Sequence, residues 1–224
     1  MAIQIQGNGG TVAEVDGTTF RAGRTTLRPP DHGSLGSYGY GGFTGVLPAA
    51  LAANSEIFQF RWTDATRLCI INEVKISAVV STTFFAAGVP VQVDLVKVTG
   101  WSAAGSGGTR PTITTLMKKR SSMGSSLVAA SDIGIATTAA LTAGTKTLEA
   151  TSMASLAGAG PITASLNGQI FAPGTILFRP EVADGQHPLS LVQNEGFVIR
   201  SVAVPATGTW LAAITIDWTE LAAY

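Results

Sequence analysis

The stretch that most constrains the fold lies near the C-terminus. Residues 194–204 and 209–220 flank Pro205-Ala206-Thr207-Gly208 and read as strand, tight turn, strand. In the second strand Trp210, Ala212, Ile214, Ile216 and Trp218 fall on one face. Leu211, Ala213, Thr215, Asp217 and Thr219 fall on the other. Side chains alternate across a strand, so this is a ribbon with one apolar face and one small or polar face. A chain carrying it must bury two tryptophans against a second layer, which predicts a β core.

The rest of the chain continues the pattern. Residues 54–63 predict a strand with Phe58, Phe60 and Trp62 sharing a face with Glu56, and Ile57, Gln59 and Arg61 on the other. Residues 67–80 predict another, in which Ile70-Ile71 followed by Asn72-Glu73 marks a bulge or a break. In residues 89–98, Val89, Val91, Val93 and Leu95 oppose Gln92 and Asp94. Shorter strands are predicted in 127–135 and 146–150, and on both sides of Pro173-Gly174. Residues 151–165 allow a short helix that Gly158, Gly160 and Pro161 would end. Eight to ten short strands with Gly, Pro and Asp turns predict an all-β, antiparallel sandwich of jelly-roll-like form, as one domain over residues 48–224.

Residues 1–47 differ. Thr11-Val12-Ala13-Glu14-Val15 and Thr18-Thr19-Phe20-Arg21-Ala22 flank Asp16-Gly17, a hairpin signal. Residues 33–43 follow, rich in glycine and without a hydrophobic period. Glycine raises the entropy of ordering, so residues 1–47 are expected as an extended Gly/Tyr-rich N-terminal arm that carries the small hairpin. Phe20, Leu35, Tyr38, Tyr40 and Phe43 are its candidate partner-interface residues, rigid anchors on a flexible strip. The alternative is a glycine loop wrapped on its own domain. The polar segment 101–126, with Lys118-Lys119-Arg120, is a second long loop, read as a solvated or subunit-contact stretch ahead of a phosphate site.

Charge narrows the function classes. Only 12% of residues are charged, and fourteen basic side chains balance fourteen acidic ones. A nucleic-acid binder needs a basic surplus and a polybasic membrane patch needs the same, so neither partner is expected. A neutral surface favours association, and copies of the chain or a partner are expected to cover it. Cys69 is the single cysteine and lies in an apolar run, which predicts a buried small hydrophobe. The N-terminus lacks a basic stretch followed by an apolar one, and no long apolar span follows, so neither export nor membrane insertion is expected.

Chemistry-bearing motifs are absent. His32 and His187 each sit in a turn with no second ligand at metal spacing. No nucleophile elbow or phosphate-binding loop occurs, and Asp94, Glu181, Asp184 and Asp217 form no recognisable pair. The expectation is a non-enzymatic protein without cofactor or metal.

Three segments carry a resemblance. Gln193-Asn194-Glu195-Gly196-Phe197-Val198-Ile199-Arg200, with Pro205 to Trp210 and Trp218-Thr219-Glu220, resembles structural proteins of tailed-bacteriophage virions. Residues 10–22 and 53–62 look like the same group. The resemblance implies a virion component made in the host cytoplasm. The long helix of the common major capsid fold is missing, which points to a capsid decoration or cement protein, a homotrimer binding the major capsid or another virion protein. The alternative is a tail or head-fibre module binding a receptor or glycan, with Trp101 and the tyrosines stacking on sugars.

Overall fold

The computed structural model describes residues 5–6, 12–13, 36–85, 90–112, 117–119, 121, 123–160, 168–181 and 186–222. The chain divides into two units, Met1–Asp31 and His32–Tyr224. In the first, β1 (Ile5–Gln6) pairs antiparallel with β2 (Val12–Ala13), Ile5 opposite Ala13. The strand expected at 11–15 is thus present in part, and it has a partner on its N-terminal side. Residues 18–22, its expected partner, lie outside the described residues.

The second unit is two antiparallel sheets, an all-β sandwich. Its larger sheet is built on β6 (Arg67–Val80) and β15 (Thr209–Ala222), which pair from Trp210 opposite Val80 to Ala222 opposite Arg67. Beyond β15 come β3 (Gly36–Phe43) and the short β8 (Met117–Lys118); β4 (Leu47–Pro48) also pairs with β15. Beyond β6 come β12 (Gln169–Phe178) and β13 (Leu189–Leu191). The second sheet has β14 (Glu195–Ala203) between β5 (Ser55–Trp62) and β7 (Val91–Ala103). Its flanks are β9 (Ile133–Ile135) beside β5, and β10 (Thr145–Leu148) and β11 (Ala154–Gly158) beside β7. The chain crosses between sheets from β5 to β6, from β6 to β7 and from β14 to β15. Among the described residues the helical content is one 3-10 turn at Ala130–Asp132.

The C-terminal ribbon behaves as its alternation predicts. Trp210, Ala212, Ile214, Ile216 and Trp218 are all buried between the sheets. From β6 they meet Val74, Ile76, Ala78 and Val80, and from the second sheet Phe58, Phe60, Val93, Leu95, Phe197 and Ile199. Trp218 stacks on Tyr38 at 5.8 Å and meets Phe60 edge-on at 5.5 Å. Such aromatic pairs add about 0.5–1.5 kcal/mol beyond the area they bury. Asn72 is the extra residue of a bulge, since Asp217 faces Glu73 while Trp218 faces Ile71. That bulge keeps β6 one continuous strand and puts Ile71 back into the core. Cys69 is buried, and its thiol is pushed well up by burial and then by the charge of Glu220.

Residues 36–43 correct the expected arm. They form β3, paired with β15 from Gly36 opposite Glu220 to Phe43 opposite Ala213. This part of the expected arm therefore belongs to the sandwich. Tyr38 and Tyr40 alternate inward and join the main core. Gly39 and Gly41 occupy the intervening positions, so the strand period exists but the outer face carries side chains only at its two ends, Ser37 and Phe43. At Gly39 a Cβ would lie 2.5 Å from Asp217 Oδ1 and would push that carboxylate from its place beside Lys119.

Other boundaries move as well. Strand β7 continues through Trp101, where the long loop was expected to begin. Residues 154–158 are strand rather than helix, paired with β7 from Ala154 opposite Leu95. Strand β12 is one element whose register jumps between Phe171 and Thr175, so Pro173-Gly174 bulges out of it.

Candidate functional site

Two surfaces of the sandwich differ in kind. The outer face of the larger sheet is open, and the charges on it are largely paired with one another. Phe43, Ala213 and Ser77 stand in one row across it, and Gly41, Thr215 and Lys75 in the next. Leu211 and Val79 extend it one way. Phe43 is 73% exposed and Ile176, beside Lys75, is 43% exposed. The charges sit toward one end and are paired among themselves. Lys119 Nζ is 2.7 Å from Asp217 Oδ1, and Glu73 binds both Lys75 and Arg179. Burial raises the Glu73 carboxyl, but the hydrogen bonds and charges of Lys75 and Arg179 outweigh it and leave it lowered.

The outer face of the second sheet is covered by its own loops. A small apolar cluster, Val96, Val98, Trp101 and Val198, lies on it. Beside that cluster is a buried polar one, created by a bulge in β5. Ile199 of β14 faces Phe58, but Arg200 faces Glu56, which leaves Ile57 as the extra residue. Ile57 turns into the main core, and Glu56 moves to the outer face next to Gln59. This corrects the expected alternation, which set Glu56 with Phe58 and Ile57 with Gln59.

The cluster is densely bonded. Glu56 Oε2 accepts from Gln59 Nε2 at 2.6 Å and from Lys146 Nζ at 2.5 Å. Lys146 reaches in from β10, donates to the Ala143 carbonyl at 2.6 Å, and lies 4.3 Å from the centre of the Trp101 ring. Gln59 also donates to the Thr142 carbonyl at 2.8 Å. Its Oε1 accepts from Arg110 at 3.2 Å, and Arg110 donates to the carbonyls of Gly105 and Ser131. Arg61 Nε pairs with Asp132 Oδ1 at 3.0 Å, and Thr63 donates to Asp132 Oδ2 at 2.7 Å. Gly105 permits the close approach, because a Cβ there would strike the Thr142 carbonyl and come within 2.8 Å of the Gln59 amide.

Burial controls the electrostatics. The Lys146 side chain is 2% exposed and Gln59 is fully buried. Burial lowers the Lys146 ammonium, its contacts with Glu56 oppose that, and the charge of Arg110 adds to the lowering. Burial likewise lowers Arg110, with Asp132 opposing. Elsewhere on this face Asp94 accepts from Ser152 at 2.6 Å and Ser155 at 2.7 Å, with Arg200 at 3.6 Å. Burial raises its carboxyl, but those bonds, one from Gln92 and the Arg200 charge leave it lowered. The set Glu56, Gln59, Arg110 and Lys146 gave no signal in sequence. Glu56 and Gln59 have opposite parity in a regular strand, and the other two lie in remote segments.

The predicted site residues scatter. Phe20 and Leu35 lie outside the described residues, as do His32 and Asp184. Tyr38 and Tyr40 are core residues, so they are not free anchors; burial raises both phenols, with the Glu220 charge adding at Tyr38. Phe43 is exposed, alone among the three of these residues that are described. Trp101 is buried, with its Nε1 donating to the Ala103 carbonyl, so its ring offers no stacking platform. His187 is exposed and its Nδ1 lies 2.7 Å from the Pro188 carbonyl oxygen. Among the described residues no three His, Cys, Asp or Glu side chains are grouped to hold a metal ion. No family model, curated protein or solved structure matches the chain.

Proposed function

We propose that the protein is a non-enzymatic virion structural component. It acts as a capsid decoration or cement protein, assembling as a homotrimer on the shell of a tailed bacteriophage. The observation that carries this reading is the open, charge-poor outer face of the larger sheet, with Phe43 standing 73% exposed at one side. Neutral faces of this kind are stable when covered, and exposed aromatic residues are efficient anchors once buried at an interface. Binding many copies to a repeating shell multiplies a modest contact. The sheet crossings from β5 through β7 and from β14 to β15 suit a jelly-roll-like connectivity. The glycan-binding alternative depended on Trp101 and the tyrosines, and burial of Trp101, Tyr38 and Tyr40 weakens it.

The test is co-sedimentation of the purified chain with shells that lack it, alongside analytical ultracentrifugation of the chain alone. Trimers that bind the shell, and lose binding with Phe43→Asp at unchanged melting temperature, support the reading. A monomer at high concentration that ignores the shell and binds a glycan array would replace it with the receptor-binding one.

A further inference from the structure

The buried polar cluster places an amine, a carboxylate and a primary carboxamide on one another in a water-poor site. We propose that Lys146 and Gln59 join in an intramolecular isopeptide bond, with Glu56 carrying the proton. Glu56 Oε2 is the shared acceptor, 2.5 Å from Lys146 Nζ and 2.6 Å from Gln59 Nε2. The attacking nitrogen and the leaving nitrogen therefore flank a single oxygen, which is where a general base that becomes a general acid has to stand. The carbonyl oxygen of the same carboxamide, Gln59 Oε1, accepts from Arg110 at 3.2 Å. That guanidinium polarises the carbonyl and faces the charge that develops on its oxygen. Gln59 is held from turning by its second bond to the Thr142 carbonyl at 2.8 Å.

The step balances without an oxidant or a cofactor. Lys146 Nζ gives a proton to Glu56 and attacks Gln59 Cδ as the neutral amine. The carbonyl oxygen takes the electron pair against Arg110. Collapse breaks the Cδ–Nε2 bond as Glu56 gives its proton to the departing nitrogen; Glu56 then takes the surplus proton from Nζ, so that a neutral amide, ammonia and a protonated Glu56 result. One C–N bond forms and one breaks. Burial favours the first proton transfer, because it turns a desolvated ion pair into two neutral groups. The lowered ammonium of Lys146 agrees with this. Fixed proximity supplies the rest, as it does for other well-aligned intramolecular reactions. The product ties β5 to β10 and locks the covering loops onto the second sheet.

The decisive measurement is the intact mass of the full chain after prolonged incubation. The bonded protein is lighter than its sequence by one ammonia, about 17 Da. Trypsin then yields a branched peptide in which residues 25–61 are joined to residues 121–200, because the acylated Lys146 is no longer cleaved. Lys146→Arg keeps the charge and has the full mass. Cyclisation at Asn8-Gly9 would give the same deficit, but it leaves only linear peptides and survives in Lys146→Arg. Folded protein that stays at full mass, or a deficit that persists in Lys146→Arg, overturns the proposal and leaves the cluster a buried ion pair. If Lys146→Arg does not fold, the branched peptide of the unaltered chain decides alone.

Discussion

Trp218→Phe tests how the core holds a buried charge. Glu220 is fully buried at the end of β15. Its Oε1 accepts from Trp218 Nε1 at 3.1 Å and from Ser126 Oγ at 2.5 Å, and both oxygens accept from the Leu127 amide at 3.1 Å. Burial raises the Glu220 carboxyl, and these donors only partly oppose it. A raised folded value means that Glu220 favours the fold below the ordinary carboxyl range, and that this contribution is lost as pH rises through the folded value. Removing the indole N–H takes away a donor to the ionised form and raises the carboxyl further. The cost at neutral pH is about 1.5–3 kcal/mol for a hydrogen bond to a charged group. The smaller ring adds about 1–2 kcal/mol at any pH, less than the roughly 3–5 kcal/mol of truncation to alanine. With Glu220 protonated only a neutral bond, about 1 kcal/mol, is lost. Urea unfolding of the variant should therefore show a stability loss larger at about pH 7.5 than at about pH 4, by about 0.5–2 kcal/mol. In a Glu220→Gln background that difference should vanish. An equal loss at both pH values would refute the reasoning, because Glu220 would then not be an ionised acceptor in the folded protein.

Three further substitutions test other parts of the structure. Phe43→Ser removes a side chain that is 73% exposed, so urea unfolding should change by less than about 0.5 kcal/mol. Self-association and shell binding should fall in the same variant. Asp94→Asn disturbs the bonds from Ser152 and Ser155 and the Arg200 pair, at about 2 kcal/mol near neutral pH. Because the Asp94 carboxyl is lowered in the fold, that loss should shrink as pH falls through its folded value. Gly196→Ala would push a Cβ into the Phe60 carbonyl and to 2.9 Å from the Trp101 ring, with a thermal-melt penalty of about 2–3 kcal/mol.

What was legible in the sequence was whatever strict alternation could express. Strand β15 has an apolar residue at every second position from Trp210 to Trp218, and all five are buried. The bulge in β6 was visible because the doubled Ile70-Ile71 breaks parity ahead of a polar pair. Strand β3 was hidden because glycine erased its outer face, leaving Tyr38 and Tyr40 to look like isolated anchors. The bulge at Ile57 was hidden for the opposite reason. Both parities of β5 carry residues a core accepts, so nothing in the local pattern reveals which way Ile57 and Glu56 turn. The polar cluster depends on that one-residue shift, on Arg110 arriving from a loop and on Lys146 arriving from the remote strand β10, a juxtaposition that local periodicity does not specify.

The two outer faces explain each other. The chain has few charges, and many of them are already paired within it: Glu56 with Lys146, Arg61 with Asp132, Asp94 with Arg200, Glu73 with Lys75 and Arg179, Glu195 with Lys97, and Asp217 with Lys119. Three of those pairs lie under or beside the loops that cover the second sheet: Glu56–Lys146 ties β5 to β10, Asp94–Arg200 ties β7 to β14, and Arg61–Asp132 ties β5 to the 3-10 turn. Charges used in this way are removed from the exterior and cannot keep copies apart in solution. Few unpaired charges then remain near Phe43, Ala213, Leu211 and Val79. The scarcity of charge on the exterior therefore owes part of its origin to the covered face and has an interaction consequence on the open one. The two separate experimentally: Lys146→Arg acts on the covered face alone, and Phe43→Asp on the open face alone. If either substitution altered both the fold's stability and its association, the division of labour between the two sheets would be wrong.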